Sequence, residues 1–290
     1  MAQLFQRAAQ VIVGNLDGTT AFQTTFAPGS RIPGLRVVFH FKRTLRAEPS
    51  TADISIYNMN KQHRSLLKTR YAPVILSAGY TDTIARVFSG QARTIDHVRQ
   101  GTDWVTKIQL GDGEVPYRYT RLSKSYGTGV GSLQVANDLI GQLGPTTPGT
   151  GAVLEANLTD QLSNGYLVHG PAARELSRLL HGRGLEWSIQ HGKVQVLPVG
   201  KPSTQTAVLL TPSTGLIGSP EHGTPDPTFK RTSAHTLKWR AFIQPTLDPG
   251  GMAQIQSNAA KGNFRIISVE GSGDTQSGDW FMSCEGNPVS

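Results

Sequence analysis

Apolar and polar residues alternate along much of the chain, most clearly in "LRVVFHFKR" from residue 35. Val37, Phe39 and Phe41 fall on one face there, with Arg36, His40 and Lys42 largely on the other. A period of two residues is that of a half-buried β-strand, because successive side chains leave a pleated backbone on opposite faces. "EPSTADISIYNMNKQHRSLLK" predicts a second strand through Ile54 and Ile56, then a short helix capped by Asn58 or Asn60 and carrying Leu66 and Leu67. Strands resume at "PVILSAGY" and "IARVFSGQARTI", where Gly79 and Gly90 permit turns or bulges. In "DWVTKIQLGDG", Trp104, Thr106, Ile108 and Leu110 share a face. Residues 1–116 therefore read as one small antiparallel barrel or sandwich.

The period changes after Pro116. In "YGTGVGSLQVANDLIGQLG" a glycine-rich loop precedes a helix whose Leu133, Ala136, Leu139, Ile140 and Leu143 form an apolar stripe, ended by Gly144 and Pro145. "HGPAARELSRLLHGRG" predicts a second helix with Pro171 at its start and Leu176, Leu179 and Leu180 inward. "LEWSIQHGKVQVLP" then alternates Leu185, Trp187 and Ile189 with polar residues, turns at His191 and Gly192, and returns through Val194 and Val196. A helix packed on a β-hairpin buries both stripes, so residues 117–204 read as an inserted helix and hairpin domain.

Prolines 198, 202, 212, 220, 225 and 227 mark the next stretch as a semi-rigid crossing with one short strand, Val208 to Leu210. The segment 205–290 is again strand-rich and reads as a second small β-domain. The fold class expected is α+β, mostly β.

Two hairpins echo one another. "ARTIDHVRQGTDWVTKIQLGDG" and "FRIISVEGSGDTQSGDWFMSCEGN" share an apolar strand, a polar glycine-bearing turn, an Asp-Trp pair and an alternating strand. Asp103 and Trp104 thus correspond to Asp279 and Trp280. The Asp accepts hydrogen bonds from turn amides in this reading, and the Trp caps a core with its apolar face. The other reading of "GSGDTQSGDW" is a cation site, but it offers only Asp274, Gln276 and Asp279 where a calcium loop needs more oxygen ligands at regular spacing. The turn is the better account.

Composition agrees with a β-rich chain: 37% hydrophobic and 17% charged residues, with 32 glycines and 17 prolines. A net charge of +8 favours an anionic neighbour, but the basic residues are dispersed in singles and pairs such as Lys42–Arg43 and Lys230–Arg231, with no polybasic run. The single cysteine, Cys284, excludes an intrachain disulfide framework and a multi-thiolate metal cluster, and in its strand-like setting reads as a buried, inert thiol. "MAQLFQRAAQVIVGNL" lacks a basic leader with a sufficient apolar run, and no stretch of apolar residues is long enough to span a bilayer. The expectation is a chain neither secreted by a standard signal nor membrane-spanning.

Catalytic chemistry is hard to find. Gly127, Gly129 and Gly131 precede a helix but lack the Lys-Ser/Thr of a phosphate loop. Ser132 has no identifiable base, and His169, His181 and His191 lie at spacings unlike a metal pair. Paired carboxylates for glycoside hydrolysis would have to be assembled from few, scattered Asp and Glu. The strongest nucleic-acid signal is "PYRYTRLSKSY", where Tyr117, Tyr119 and Tyr126 alternate with Arg118, Arg121 and Lys124, although a connector or a subunit interface uses the same residues. No catalytic, cofactor-binding or metal residue is assigned, and no cofactor is expected. The chain reads as a non-enzyme, with a single-stranded nucleic-acid binder and a cell-wall hydrolase as alternatives.

With those stretches in hand, the chain resembles the baseplate or tail hub proteins of tailed bacteriophages, the contractile-tail hub family related to the hub part of type VI secretion spikes. The resemblance rests on "STADISIYNMNKQHRSLL", "VILSAGY", "VFSGQARTIDH", "ELSRLLHGRGLEWSIQHGKVQVLP", "LLTPSTGLIGSPE" and "FRIISVEGSGDTQSGDWF", in that order across most of residues 35–285. It implies a homotrimer in which each chain gives two tube-like antiparallel β-barrels, residues 1–116 and 205–290, with 117–204 inserted between them. Three chains would form a pseudo-sixfold ring joining the tail tube, or an adjacent baseplate ring protein, to the spike or tail-tip protein. A tape-measure protein is a further partner, and DNA would pass through the channel without specific binding. The implied location is the virion tail baseplate, after synthesis in the bacterial host cytoplasm.

Overall fold

The computed structural model describes residues 6–27, 34–203, 206–223 and 236–289. The Lys230–Arg231 pair and Pro225 and Pro227 lie outside them.

The first segment is a succession of antiparallel strands. β1 (Arg7–Gly14) and β2 (Thr20–Phe26) form one hairpin, and β3 (Val37–Thr44) pairs with β4 (Thr51–Tyr57). A short helix α1 (Lys61–Leu66) follows, capped by Asn60, whose side chain accepts from the His63 N–H at 2.7 Å. Then come β5 (Pro73–Tyr80), β6 (Ala85–Gln100) and β7 (Asp103–Gly111). The alternation foreseen in β3 holds: Val37, Phe39 and Phe41 are buried while His40 and Lys42 are exposed. Arg43 continues the buried face, which its charge does not advertise.

The inserted stretch is built from α2 (Glu114–Tyr119), β8 (Arg121–Tyr126), β9 (Val130–Gly131), α3 (Ser132–Leu143), α4 (Thr150–Asn157), β10 (Gln161–Leu162), β11 (Tyr166–Pro171), α5 (Ala172–Leu180), β12 (Leu185–Gln190) and β13 (Lys193–Pro198). Its strands make separate two-stranded sheets, β8 with β11, β9 with β10 and β12 with β13. α3, α5 and the β12–β13 hairpin bury their stripes in one cluster that includes Leu139, Leu143, Leu176, Leu179, Trp187 and Val196. The hairpin turns at His191 and Gly192, both at positive φ, 55° and 77°, as a two-residue turn between right-twisted strands requires.

The final segment contributes β14 (Ala207–Leu210), β15 (Leu216–His222), β16 (Leu237–Phe242), β17 (Met252–Gln256), β18 (Lys261–Asp274) and β19 (Trp280–Pro288). β15 lies in the proline-marked stretch expected to be mostly connector; Pro220 fits there because β15 is an edge strand whose ladder breaks between Ile217 and Glu221.

β18 joins the two ends of the chain. Its second half pairs with β3 on one side and β19 on the other, so one 13-stranded sheet runs β15-β16-β19-β18-β3-β4-β7-β6-β5-β1-β2, with β17 and β14 branching from the first half of β18. One apolar cluster lies under strands from both segments, from Val11, Phe41 and Ile54 to Trp239, Val269 and Met282. The described strands form an open path, yet the sheet curls enough that Tyr80 of β5 meets Phe242 of β16 edge-on, ring centroids 6.3 Å apart. The architecture is α+β and dominated by sheet.

Candidate functional site

The largest chemically distinctive feature is the face of the sheet turned away from the apolar cluster. Its side chains can be read across the ladders in rows. Lys238 stands between Glu221 and Glu285. Arg240 is followed by Ser283, Glu270, Lys42 and Thr51. Phe242, Phe281, Ser272, His40, Asp53 and Gln109 form another row, apolar at its β16–β19 end, and Ser55, Lys107 and Asp96 another. His40 and Lys42 both reach Glu270, at 2.9 Å and 3.9 Å. Such exposed pairs stabilise little; what they set is the character of the surface, hydrated and nearly balanced in sign from β15 to β6. A shallow groove of about 620 Å3 crosses it, lined by Lys42, Lys238, Arg240, Glu270 and Glu285 among others.

At one end of this face lies the loop between β18 and β19. The Asp274 N–H donates to Asp279 O at 3.0 Å and closes the turn. The Asp274 carboxylate takes both the Arg36 guanidinium, at 2.6 and 3.2 Å, and the Gln276 N–H, at 2.9 Å. Burial alone would push this carboxyl up, but those partners hold it below the ordinary 3.8. Thr275 Oγ1 accepts from the Val37 N–H, and Arg7 donates to the carbonyls of Asp274 and Gly278. The loop is a turn stitched to β3 and β1. Gly271 and Gly273, read as turn glycines from the sequence, lie inside β18 beneath Phe41 and Phe39.

The Asp-Trp echo holds as an arrangement of hairpins and fails in its burial. Trp280 is 5% exposed and packs edge-on against Phe39, centroids 5.4 Å apart. Trp104 was expected to cap a core in the same way; it is 39% exposed, because β6 and β7 run on past the core as an arm, and the Arg64 guanidinium lies 3.9 Å from its ring centroid. Asp103 accepts from Asn58 Nδ2 at 3.1 Å, and Asn58 Oδ1 accepts from the Trp104 N–H at 3.1 Å.

Where the insert meets the sheet, a polar clamp sits beside a small apolar contact of Leu45, Leu197 and Ile267. Arg43, 1% exposed, donates to Asp248 Oδ1 at 2.5 Å, to the Leu247 carbonyl at 3.0 Å and to His191 Nε2. His191 Nε2 also lies 3.5 Å from Asp248 Oδ1; burial keeps the His191 pKa below 6.5, opposed by Asp248 and helped by the Arg43 charge. Asp112, fully buried just after β7, accepts the N–H groups of His191 and Gly192, each at 2.6 Å, and so fixes the hairpin turn. Its burial pushes its pKa up to about 6 even against those bonds. Two further ties, Arg265 to Glu186 and Gln190 Nε2 to Thr44 O at 2.8 Å, hold the same hairpin. Sequence reading placed His191 at a turn but gave no role to Arg43, Asp112 or Asp248; the one available signal was an arginine at an inward position of an alternating strand.

The remaining candidates have local tasks. Tyr117 and Tyr126 pack on the insert's core, and the Tyr126 hydroxyl donates to Asp138 at 2.7 Å. Tyr119 is exposed but its hydroxyl is 2.7 Å from that of Tyr71. The segment therefore presents no row of free ring faces, because α2 and β8 turn its tyrosines to different neighbours. Ser132 donates to Asp160, which Arg183 also holds. Gly127, Gly129 and Gly131 lead into α3, and Gly131 is its N-cap. His169 is exposed on β11, and His181 ends α5. Cys284 is buried, which pushes its thiol up to about 12. Among the described residues no group of three or more His, Cys, Asp or Glu is placed to hold a metal, and no helix is long and apolar enough to cross a membrane.

No protein-family model matches the chain, and no curated protein sequence matches it. Solved structures do match its fold. The 43 kDa tail protein of prophage MuSo2 from Shewanella oneidensis aligns with a TM-score of 0.63 at 10% identity over 98% of each chain. A tail protein from Neisseria meningitidis aligns with a TM-score of 0.62 at 9% identity, over 98% of this chain and 97% of that one. The E. coli c3393 protein, a type VI secretion component similar in structure to the T4 bacteriophage tail proteins gp27 and gp5, aligns with a TM-score of 0.61 at 13% identity, over 91% of this chain and 76% of its own. The sheet-dominated α+β class expected for the chain is the one it has, and its fold is similar to that of these tail and type VI secretion proteins, but its described strands lie in one open sheet shared by both ends of the chain rather than in two closed barrels.

Proposed function

We propose that the chain is a structural hub of a phage-type tail, acting through binding alone. Three copies close into a ring, each contributing two tube-like barrel units, residues 1–116 and 205–290, with 117–204 as a decoration held by the Arg43 clamp. The ring joins a sixfold tail tube to a threefold spike, in the virion tail.

The observation that carries this reading is the two-sidedness of the sheet. One face is apolar and covered, and the other is polar and nearly balanced in charge over most of the sheet's width. A channel wall past which DNA or a tape-measure protein must slide needs this character, because a basic stripe would hold phosphates by releasing counterions and an apolar wall would adhere. Closing a ring also covers the open ends of the sheet, which otherwise pair promiscuously. The likeness to tail and type VI secretion proteins over nearly the whole chain supports the same reading.

The test is incorporation. Tagged chain purified from cells assembling the tail that encodes it should carry tube and spike proteins with it, at three copies per particle. Recovery free of every tail component would refute the proposal.

A further inference from the structure

The ribbon formed by β8 and β11 has one face on the insert's core and the other bare. Val168, buried, sits opposite Lys124 on the inner side, and Lys124 reaches Asp138 of α3 at 2.6 Å. The outer side presents Arg121, Ser123 and Ser125 on β8 with Leu167 and His169 on β11. Leu167 is 60% exposed, the outstanding apolar side chain of this face. Arg121 has no carboxylate partner among the described residues.

Cations line the ribbon's free edge. Arg178 donates to the Leu167 carbonyl at 2.5 Å and Arg174 to the His169 carbonyl at 3.4 Å. Both also pair with Glu175, whose side chain is only 4% exposed while theirs are 70% (Arg174) and 55% (Arg178) exposed. Arg118 repeats the arrangement on the adjoining helix, half exposed above a buried Glu114. The carboxylates lie beneath and the guanidiniums above, so the outward potential is positive although the ion pairs are complete. The Arg174 and Arg178 side chains are already held by backbone carbonyls, so little side-chain freedom is left to lose on binding.

We infer that this face, with Leu167 and Arg121 on the ribbon's outer side and Arg174 and Arg178 along its free edge, docks an acidic segment of a partner protein. Carboxylates of the partner meet the guanidiniums, and an apolar side chain covers Leu167. Charge complementarity selects an acidic occupant, and arginine together with exposed apolar side chains is enriched at protein interfaces. A nucleic-acid strand fits less well, because stacking needs free ring faces. Here Lys124 covers Tyr126 at 4.7 Å, Arg178 covers Tyr166 at 4.8 Å, and the exposed apolar side chain is aliphatic. This inference stands apart from the ring proposal, since it concerns the insert alone.

The test uses the full chain and a fluorescent peptide of Glu-Glu-Leu repeats, with an oligothymidylate of equal charge as the competing probe. The peptide should bind with an affinity that falls as salt rises. Arg121→Glu should weaken it about tenfold and Leu167→Ser severalfold, while circular dichroism stays unchanged. Arg121 and Leu167 are chosen because neither supports a buried carboxylate, so both variants should fold. Absence of peptide binding, equal binding by the variants, or tighter binding of the oligothymidylate would each overturn the inference.

Discussion

Phe39 occupies the space that a side chain on Gly273 would need. The two residues are directly paired between β3 and β18, and a side chain on Gly273 would collide with the Phe39 ring. Gly271 stands in the same relation to Phe41. Space, rather than backbone freedom, selects glycine here, and it lets two aromatic rings seat on the strand that joins the chain's ends.

Gly273→Ala should therefore destabilise the protein by about 1–3 kcal/mol, the usual penalty for overpacking a core. Urea unfolding measures it. Unchanged stability would mean that the ring and strand are not in contact.

The two tryptophans of the paired hairpins should respond differently. Trp280→Ala removes a buried ring and should lose about 3–5 kcal/mol. Trp280→Phe should lose far less, since it keeps the contact with Phe39 and removes an indole N–H that has no partner among the described residues. Trp104→Ala, at an exposed arm where Arg64 contributes a cation–π contact, should stay within about 1 kcal/mol. Equal losses at both positions in thermal unfolding would contradict the different burial.

Arg43→Met tests the clamp. It keeps the side chain's apolar bulk but removes its bonds to Asp248, Leu247 and His191, and should lose about 2–4 kcal/mol. Hydrogen exchange should rise first at residues 185–198, which the clamp holds. Exchange rising uniformly would argue against a local role.

Acid should weaken the same junction. Burial alone would raise the Asp248 carboxyl, but His191 and the Arg43 charge bring it down to about 2 from the ordinary 3.8. The folded state thus binds this proton less readily than the unfolded chain. The resulting stability is present above about pH 4 and is lost as pH falls toward 2. Asp248 is 47% exposed, so solvent screening limits its size. Asp248→Asn should lose less stability than the wild type across that window, and parallel pH profiles would contradict the assignment.

The local periods of the chain made much of this legible. Alternation placed β3, β4, β7 and the β12–β13 hairpin, and the leucine stripes placed α3 and α5. Pairing between distant strands left no local mark: nothing in "FRIISVEGSGD" says that its partner is "VVFHFKR". The glycines of β18 looked like turn residues because their reason for being glycine, the Phe39 and Phe41 rings, lies at the other end of the chain. Trp104 misled because composition cannot tell an arm from a core, and α2 and α4 are too short for a stripe. The polar face could be guessed strand by strand, but only the register showed that its charges alternate across rows. Arg43 was hidden because a buried arginine is intelligible only beside Asp248 and His191, which the fold brings from elsewhere.

The central claim is that this sheet is one part of a closed ring whose polar face lines a passage. Electron microscopy of the purified protein together with its tube and spike neighbours tests it most directly. The account predicts a threefold particle with pseudo-sixfold features and an open axial channel faced by Lys42, His40 and Glu270. A particle without threefold symmetry, or a ring with that face turned outward to solvent, would contradict it.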